Sequence, residues 1–264
     1  MNTIVPRSTW QEVREFPLDR TNLKRLLDNE IAAIRISDFA TVEECHQFAA
    51  AVRAGNIKRL TKSGTGYIGM AQVEYRRSRP KSDYFDAVAD ADADMQEVFD
   101  NSFDPLARMI KMLQTHWDAP VNVAREDLGK YFAGIVRLAT GGLELHADWA
   151  PLNGPEYGIA LIDGQIGWNL FAESLPFGGD TLVCNAPWDP QVQPGKIPES
   201  YPLDHAIVEG APSLRYDATL GDVVLFNTRN PHQVFGNDAS SGCMRVTIGS
   251  FVGRMPDRSL VLWS

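Results

Sequence analysis

The strongest constraint on the fold lies in the second half of the chain. From about Tyr131 onward, short apolar runs alternate with clusters of Gly, Pro, Asn and Asp. That is the pattern of short strands joined by turns, not of long helices. Strands are expected over residues 131–138, 158–162, 167–172, 181–184, 222–226 and 245–252. The segment 187–202 is rich in proline and reads as a long, lid-like loop. The first half has a different period. Leu23, Leu26 and Leu27 fit one helical face, and residues 31–36 form a short apolar run expected to be a strand. Thr41 with Glu44 three residues on is a capping box. Behind it, Cys45, Phe48, Ala49 and Val52 mark a buried stripe that Gly55 closes. Asp104-Pro105 starts a further helix, with Leu106, Met109, Ile110, Leu113 and Trp117 as its apolar face. Helices followed by many short strands imply an α+β fold with a β-sandwich or barrel as its main body. The 264 residues read as a single domain, 1–264, with 1–125 mainly helical and 126–264 forming the sheet-rich core.

Charge and cysteine usage narrow the function classes. The formal net charge is −9, which argues against a nucleic-acid polymer as partner but leaves room for a local basic patch that holds one small anion. Cys45, Cys184 and Cys243 form no CxxC pair, so neither a zinc ribbon nor a disulfide framework is expected. The first sixteen residues lack an apolar leader, and no apolar run approaches the ~20 residues of a membrane helix. A cytoplasmic protein acting on a small molecule, away from membranes, is the expectation; oligomeric state is not readable.

Two of the five histidines stand in a chemically suggestive context. His146 ends an expected strand in Leu143-Glu-Leu-His-Ala-Asp148. Residues two apart on a strand point the same way, so His146 and Asp148 present an imidazole and a carboxylate together. His232 follows the strand at 222–226 and a short loop, and supplies a third ligand from a later strand. Two histidines and one carboxylate leave three positions of an octahedral Fe(II) open; zinc with one water uses the same set. His46 reads as a surface residue, His116 as the end of a helix where its charge suits the dipole, and His205 lies in the proline-rich loop. Arg245 and Thr247 share one face of the next strand, and an Arg fork beside a hydroxyl suits a buried carboxylate.

These pieces resemble the Fe(II)/2-oxoglutarate-dependent oxygenases. The matching motifs run in order: His146-Ala-Asp148, the Gly178-Gly-Asp-Thr181 turn, Gly221-Asp-Val-Val-Leu-Phe226, His232, and Arg245-x-Thr247. Within that superfamily the chain looks most like the free-standing hydroxylases of N-acylated amino acids and the carrier-independent alkaloid halogenases. Arg137-Leu138, Asn185-x-x-Trp188 and Trp263-Ser264 carry that placement. The resemblance covers residues 133–264 well and the N-terminal third in outline. It implies a double-stranded β-helix (a cupin-like jelly roll) with N-terminal helices packed on one side. It also implies Fe(II) held by His146, Asp148 and His232, 2-oxoglutarate as cosubstrate with Arg245 and secondarily Thr247 on its distal carboxylate, and O₂ as oxidant. The family's halogenases have a small residue where this chain has Asp148, so hydroxylation of an unactivated C–H bond is expected, with succinate and CO₂ as co-products. Halogenation, desaturation and a non-catalytic cupin-like binding role are the alternatives.

The substrate is the least legible part. Arg76, Arg77, Arg79 and Lys81 form a basic stretch in an acidic chain and are expected to meet an anionic group of a small metabolite, such as an amino-acid derivative. Trp149 and Trp168 lie near the expected site and are candidate pocket walls.

Overall fold

In the computed structural model, residues 8–59, 65–75, 79–139, 141–174, 178–189, 202–236 and 244–264 are described. Arg76, Arg77, Cys243 and residues 190–201 of the expected lid-like loop lie outside them.

The body of the molecule is two facing sheets. The strands that matter for the site are β1 (Ala33–Ile36), β2 (Gly66–Ile68), β3 (Ile135–Ala139), β4 (Leu143–His146), β5 (Gly164–Glu173), β6 (Thr181–Cys184), β7 (Ser213–Tyr216), β8 (Val223–Asn227), β9 (His232–Val234) and β10 (Arg245–Arg254). The large sheet runs β1-β8-β5-β10-β3-β2. Glu15–Pro17 lies outside β1, Lys58–Arg59 outside β2, and Leu260–Trp263 alongside the far half of β10. The small sheet runs β7-β6-β9-β4. All pairings among the ten labelled strands are antiparallel.

Alternation along the strands sorts the two layers of core. On β5 and β10, Ile166, Trp168, Leu170, Val246, Ile248 and Val252 face the helices. Phe171, Val224 and Phe226 face the other way, against Val183 and Tyr216 of the small sheet. Gly249 stands where β10 and β5 approach each other closely: a Cβ there would lie 2.3 Å from the Trp168 carbonyl oxygen, so a side chain would push the strands apart.

Four main helices cover the outer face. Helix α1 (Arg20–Leu27) is capped by Asp19 and buries Leu23, Leu26 and Leu27. Helix α2 (Val42–Ala54) carries the full capping box of Thr41 and Glu44 and ends at Gly55. Arg108 and the box together hold the Glu44 carboxyl down to about 2. Helix α3 (Lys81–Asp100) has no side-chain cap. Its buried residues Tyr84, Val88, Ala91, Met95 and Val98 keep helical spacing, a stripe that sequence reading missed among the segment's many aspartates. Helix α4 (Pro105–His116) starts at the Asp104-Pro105 signal.

Two expected strands need correction. Residues 158–161 form a 3₁₀ helix, Gly158–Leu161. Glu126 accepts from the Gly158 N–H at 2.7 Å and pins the turn, and the run is too short for periodicity to separate strand from helix. The strand expected from Tyr131 begins only at Ile135, because Gly134 adopts φ +91° and interrupts extended backbone. The N-terminal part also supplies β1 and β2 to the large sheet, so it is less purely helical than its sequence suggests.

β8 is held at its start by a partly buried ion cluster. Asp222 accepts from Arg35 on β1 at 2.9 Å and from the Asp38 N–H at 3.1 Å, while Glu15 takes the other edge of the guanidinium at 2.6 Å. Asp222→Ala leaves Arg35 half-paired and the Asp38 N–H without its acceptor. We expect a loss of about 3 kcal/mol, read as a lower denaturant midpoint at unchanged slope.

Candidate metal centre and its cavity

His146 and His232 end up side by side because β4 and β9 pair with His232 opposite His146. Their ring centroids are 4.1 Å apart. Asp148, just past the end of β4, places one carboxylate oxygen 3.8 Å from His146 Nε2 and 3.7 Å from His232 Nε2. The three ligand atoms lie within 4.8 Å of one another, close enough to converge on one ion.

Backbone contacts set the histidine tautomers. His146 Nδ1 lies 2.7 Å from the Glu144 carbonyl and His232 Nδ1 lies 2.9 Å from the Asn230 carbonyl. A carbonyl only accepts, so each Nδ1 donates and each Nε2 keeps its lone pair for a metal. Burial, reinforced by the neighbouring His146 ring, pushes His232 well below its ordinary pKa. It is therefore neutral and able to ligate at neutral pH, and protons compete for it only in a more acidic range.

Asp148 is oriented through its backbone. Its N–H donates to the Thr228 carbonyl at 2.8 Å. Its carbonyl accepts from Thr228 Oγ1 at 3.1 Å and from Gln165 Nε2 at 3.1 Å. Gln165 Nε2 also reaches Thr228 Oγ1 at 3.0 Å, and Gln165 Oε1 accepts from the Ala150 N–H at 2.8 Å. Both residues are about 1% exposed, so this small network is dry. Sequence reading missed them: a Gln at a strand start and a Thr in a loop carry no motif.

The triad opens into a cavity of about 110 Å³ between the sheets. Arg245 lines it and is 7% exposed. Its Nη1 donates to the Gly179 carbonyl at 3.1 Å. Gly178 and Gly179 both have positive φ, +80° and +84°, which explains the paired glycines of that turn. Thr247, Thr181 and Tyr216 also line the cavity. The Tyr216 hydroxyl bonds with Thr181, and burial raises its pKa so that it stays protonated. Arg245 has no carboxylate partner among the described residues, and burial lowers its pKa. A guanidinium with three hydroxyl side chains around it fits an incoming carboxylate.

Other expected site residues lie elsewhere. Arg79 is exposed and sits over the Tyr75 ring at 5.1 Å. Lys81 opens α3, pairs with Glu126 and donates to the Glu156 carbonyl at 2.9 Å. Trp149 is half-buried beneath the Arg229 guanidinium. Trp168 borders the cavity but belongs to the core layer under the helices. His46 and His205 are exposed, and His116 ends α4. No described helix is long and apolar enough to cross a membrane.

Comparison with known proteins adds an independent line. The family model "carrier-protein-independent halogenase WelO5" matches residues 11–264. The chain is 31% identical, over 211 residues, to leucinostatins biosynthesis cluster protein S of Purpureocillium lilacinum. That match covers 75% of this chain and 85% of the relative. Among solved structures, it is similar to an N-substituted L-amino acid dioxygenase from Burkholderia ambifaria AMMD. The TM-score is 0.62 at 14% identity, with 93% of this chain and 91% of that one covered. The epimerase SnoN from nogalamycin biosynthesis is a more distant likeness, with a TM-score of 0.51 at 14% identity over 89% and 87% of the two chains.

Proposed function

This chain belongs to the family of carrier-protein-independent halogenases, a group of Fe(II)/2-oxoglutarate oxygenases, and on that premise we propose that it hydroxylates an unactivated C–H bond of a small, anionic, amino-acid-like metabolite. The observation that carries this reading is Asp148. A carboxylate completes the metal set with His146 and His232, where the halogenating members of the family leave room for chloride. The facing sheets read as a double-stranded β-helix, with the site between them. The solved N-substituted amino acid dioxygenase, alike in fold, supports the substrate class.

The donor set fits Fe(II): two imidazole nitrogens and one carboxylate, all on one side. The bound iron and 2-oxoglutarate would supply the oxidising power from O₂, with succinate and CO₂ as co-products. The chain's own residues do the rest. His146, Asp148 and His232 hold the ion, with Gln165 and Thr228 fixing the Asp148 backbone. Arg245 holds the distal carboxylate of 2-oxoglutarate, assisted by Thr247, Thr181 and the protonated Tyr216 hydroxyl. The apolar walls of Ile135, Phe171, Phe226 and Val234 keep bulk water away from the reacting carbon.

The test is mass spectrometry of N-acylated amino acids and related metabolites incubated with Fe(II), 2-oxoglutarate and O₂ in high chloride. The expected product gains one oxygen. A chlorinated product from the wild type, seen by its isotope doublet, would overturn hydroxylation. Asp148→Gly removes a negative ligand; native activity is expected to fall by at least about a hundredfold, checked by product formation at saturating iron.

A further inference from the structure

One charged group in the cavity is given no role by the metal and cosubstrate assignments above. Arg137, on β3, lines the same cavity as the triad. On the sheet it stands opposite Thr247 of β10 on one side and Tyr67 of β2 on the other. Arg245 is therefore its diagonal neighbour, at a Cβ separation of about 7–8 Å. Arg137 makes no hydrogen bond or ion pair with any described residue, and burial lowers its pKa. The two carboxylates it feels, Asp148 and the exposed Glu74, act on it only at longer range.

Arg137 is half-buried; a guanidinium held in a cavity without a partner is costly, and a second cation in the same cavity adds repulsion. Charge counting says what would relieve it. Asp148 is the one acidic side chain among the residues lining the cavity, against Arg137 and Arg245. The lining side chains are thus one positive charge in excess, and the Ser264 α-carboxylate, which also lines the cavity and accepts from the Gln72 N–H, forms no ion pair with Arg137 or Arg245. A divalent metal and a dicarboxylate cosubstrate cancel each other, so the excess persists when both are bound. One further monoanion would pair the cationic side chain left over. Five fixed N–H donors in a planar fork suit a carboxylate best.

We propose that Arg137 is the substrate anchor: it takes a carboxylate of the organic substrate and so orients the target carbon over the metal. This rests on the oxygenase reading above and adds to it the recognised group. It also moves anion recognition from the basic stretch near Arg79 to the cavity itself.

The experiment uses the Mn(II)-loaded full chain with 2-oxoglutarate, which binds without turning over. Melting temperatures are measured with the N-acetyl derivatives of leucine, isoleucine, valine and phenylalanine, each beside its primary amide. Calorimetry gives the 2-oxoglutarate affinity in parallel. In the wild type, at least one acid should raise the melting temperature where its amide does not. Arg137→Met should lose that preference, bind 2-oxoglutarate within about threefold of the wild type, and melt at or above the wild type when empty. Arg137→Lys should keep part of the preference. The proposal is overturned if acid and amide act alike across the panel, or if Arg137→Met retains the preference. It is equally overturned if Arg137→Met weakens 2-oxoglutarate by tenfold or more, since the carboxylate would then be the cosubstrate's own. A wild type that fails to bind 2-oxoglutarate at all contradicts the oxygenase reading instead.

Discussion

His146→Ala and His232→Ala should each lower turnover by at least about a hundredfold and leave a folded protein. Each substitution removes one of three ligands, and even residues behind the ligands typically cost 10–100-fold in metal affinity or activity. The folding cost is small by comparison. His146 is only half-buried, and the β4–β9 pairing that carries both residues uses backbone groups. Removing His232 also relieves a desolvated imidazole. Circular dichroism together with metal content by mass spectrometry separates the two effects: native spectra with less bound iron are expected. Wild-type iron stoichiometry in both variants would remove the triad from the account.

Arg245→Ala should be the next largest effect. The Arg245 guanidinium lies at interior depth with one backbone acceptor, the Gly179 carbonyl. Losing a desolvated charge pair costs roughly 2–5 kcal/mol, which is ~30-fold to several thousand-fold in affinity. The loss belongs in the KM for 2-oxoglutarate, with the substrate KM less affected. Arg245→Lys should fall between, because the ammonium keeps the charge but not the fork. An unchanged KM for 2-oxoglutarate in the alanine variant would refute the role.

What could be read from sequence follows from how local each signal is. The capping box of α2, the Asp-Pro start of α4 and the short apolar runs of β6 and β10 are encoded within a few neighbouring residues, and each element starts where its signal places it. The triad was legible because two of its members lie two residues apart at the end of one strand and the third follows a strong strand. The turn glycines before Thr181 were legible as a motif, though their reason, positive φ that brings the Gly179 carbonyl to Arg245, belongs to tertiary structure. The 3₁₀ turn at Gly158–Leu161 was not legible, because Glu126, more than thirty positions away in the chain, fixes it. Gln165, Thr228 and Tyr216 gain their roles only from contacts across the two sheets. Arg137 shows the same limit most clearly. In sequence it enters only as part of the Arg137-Leu138 motif of the family resemblance, with no role attached, and only the sheet register places it in the cavity with Arg245. Lys58 and Lys81 are by contrast already paired, with Asp94 and Glu126.

The central claim is that one cavity joins a metal on His146, Asp148 and His232 to a dicarboxylate held by Arg245. Anaerobic calorimetric titration of 2-oxoglutarate into the chain, with and without Fe(II), measures that junction directly. A single 2-oxoglutarate site that requires the metal and is lost in His232→Ala is expected. Binding of equal strength in the metal-free protein, or none in the iron-loaded wild type, would contradict it.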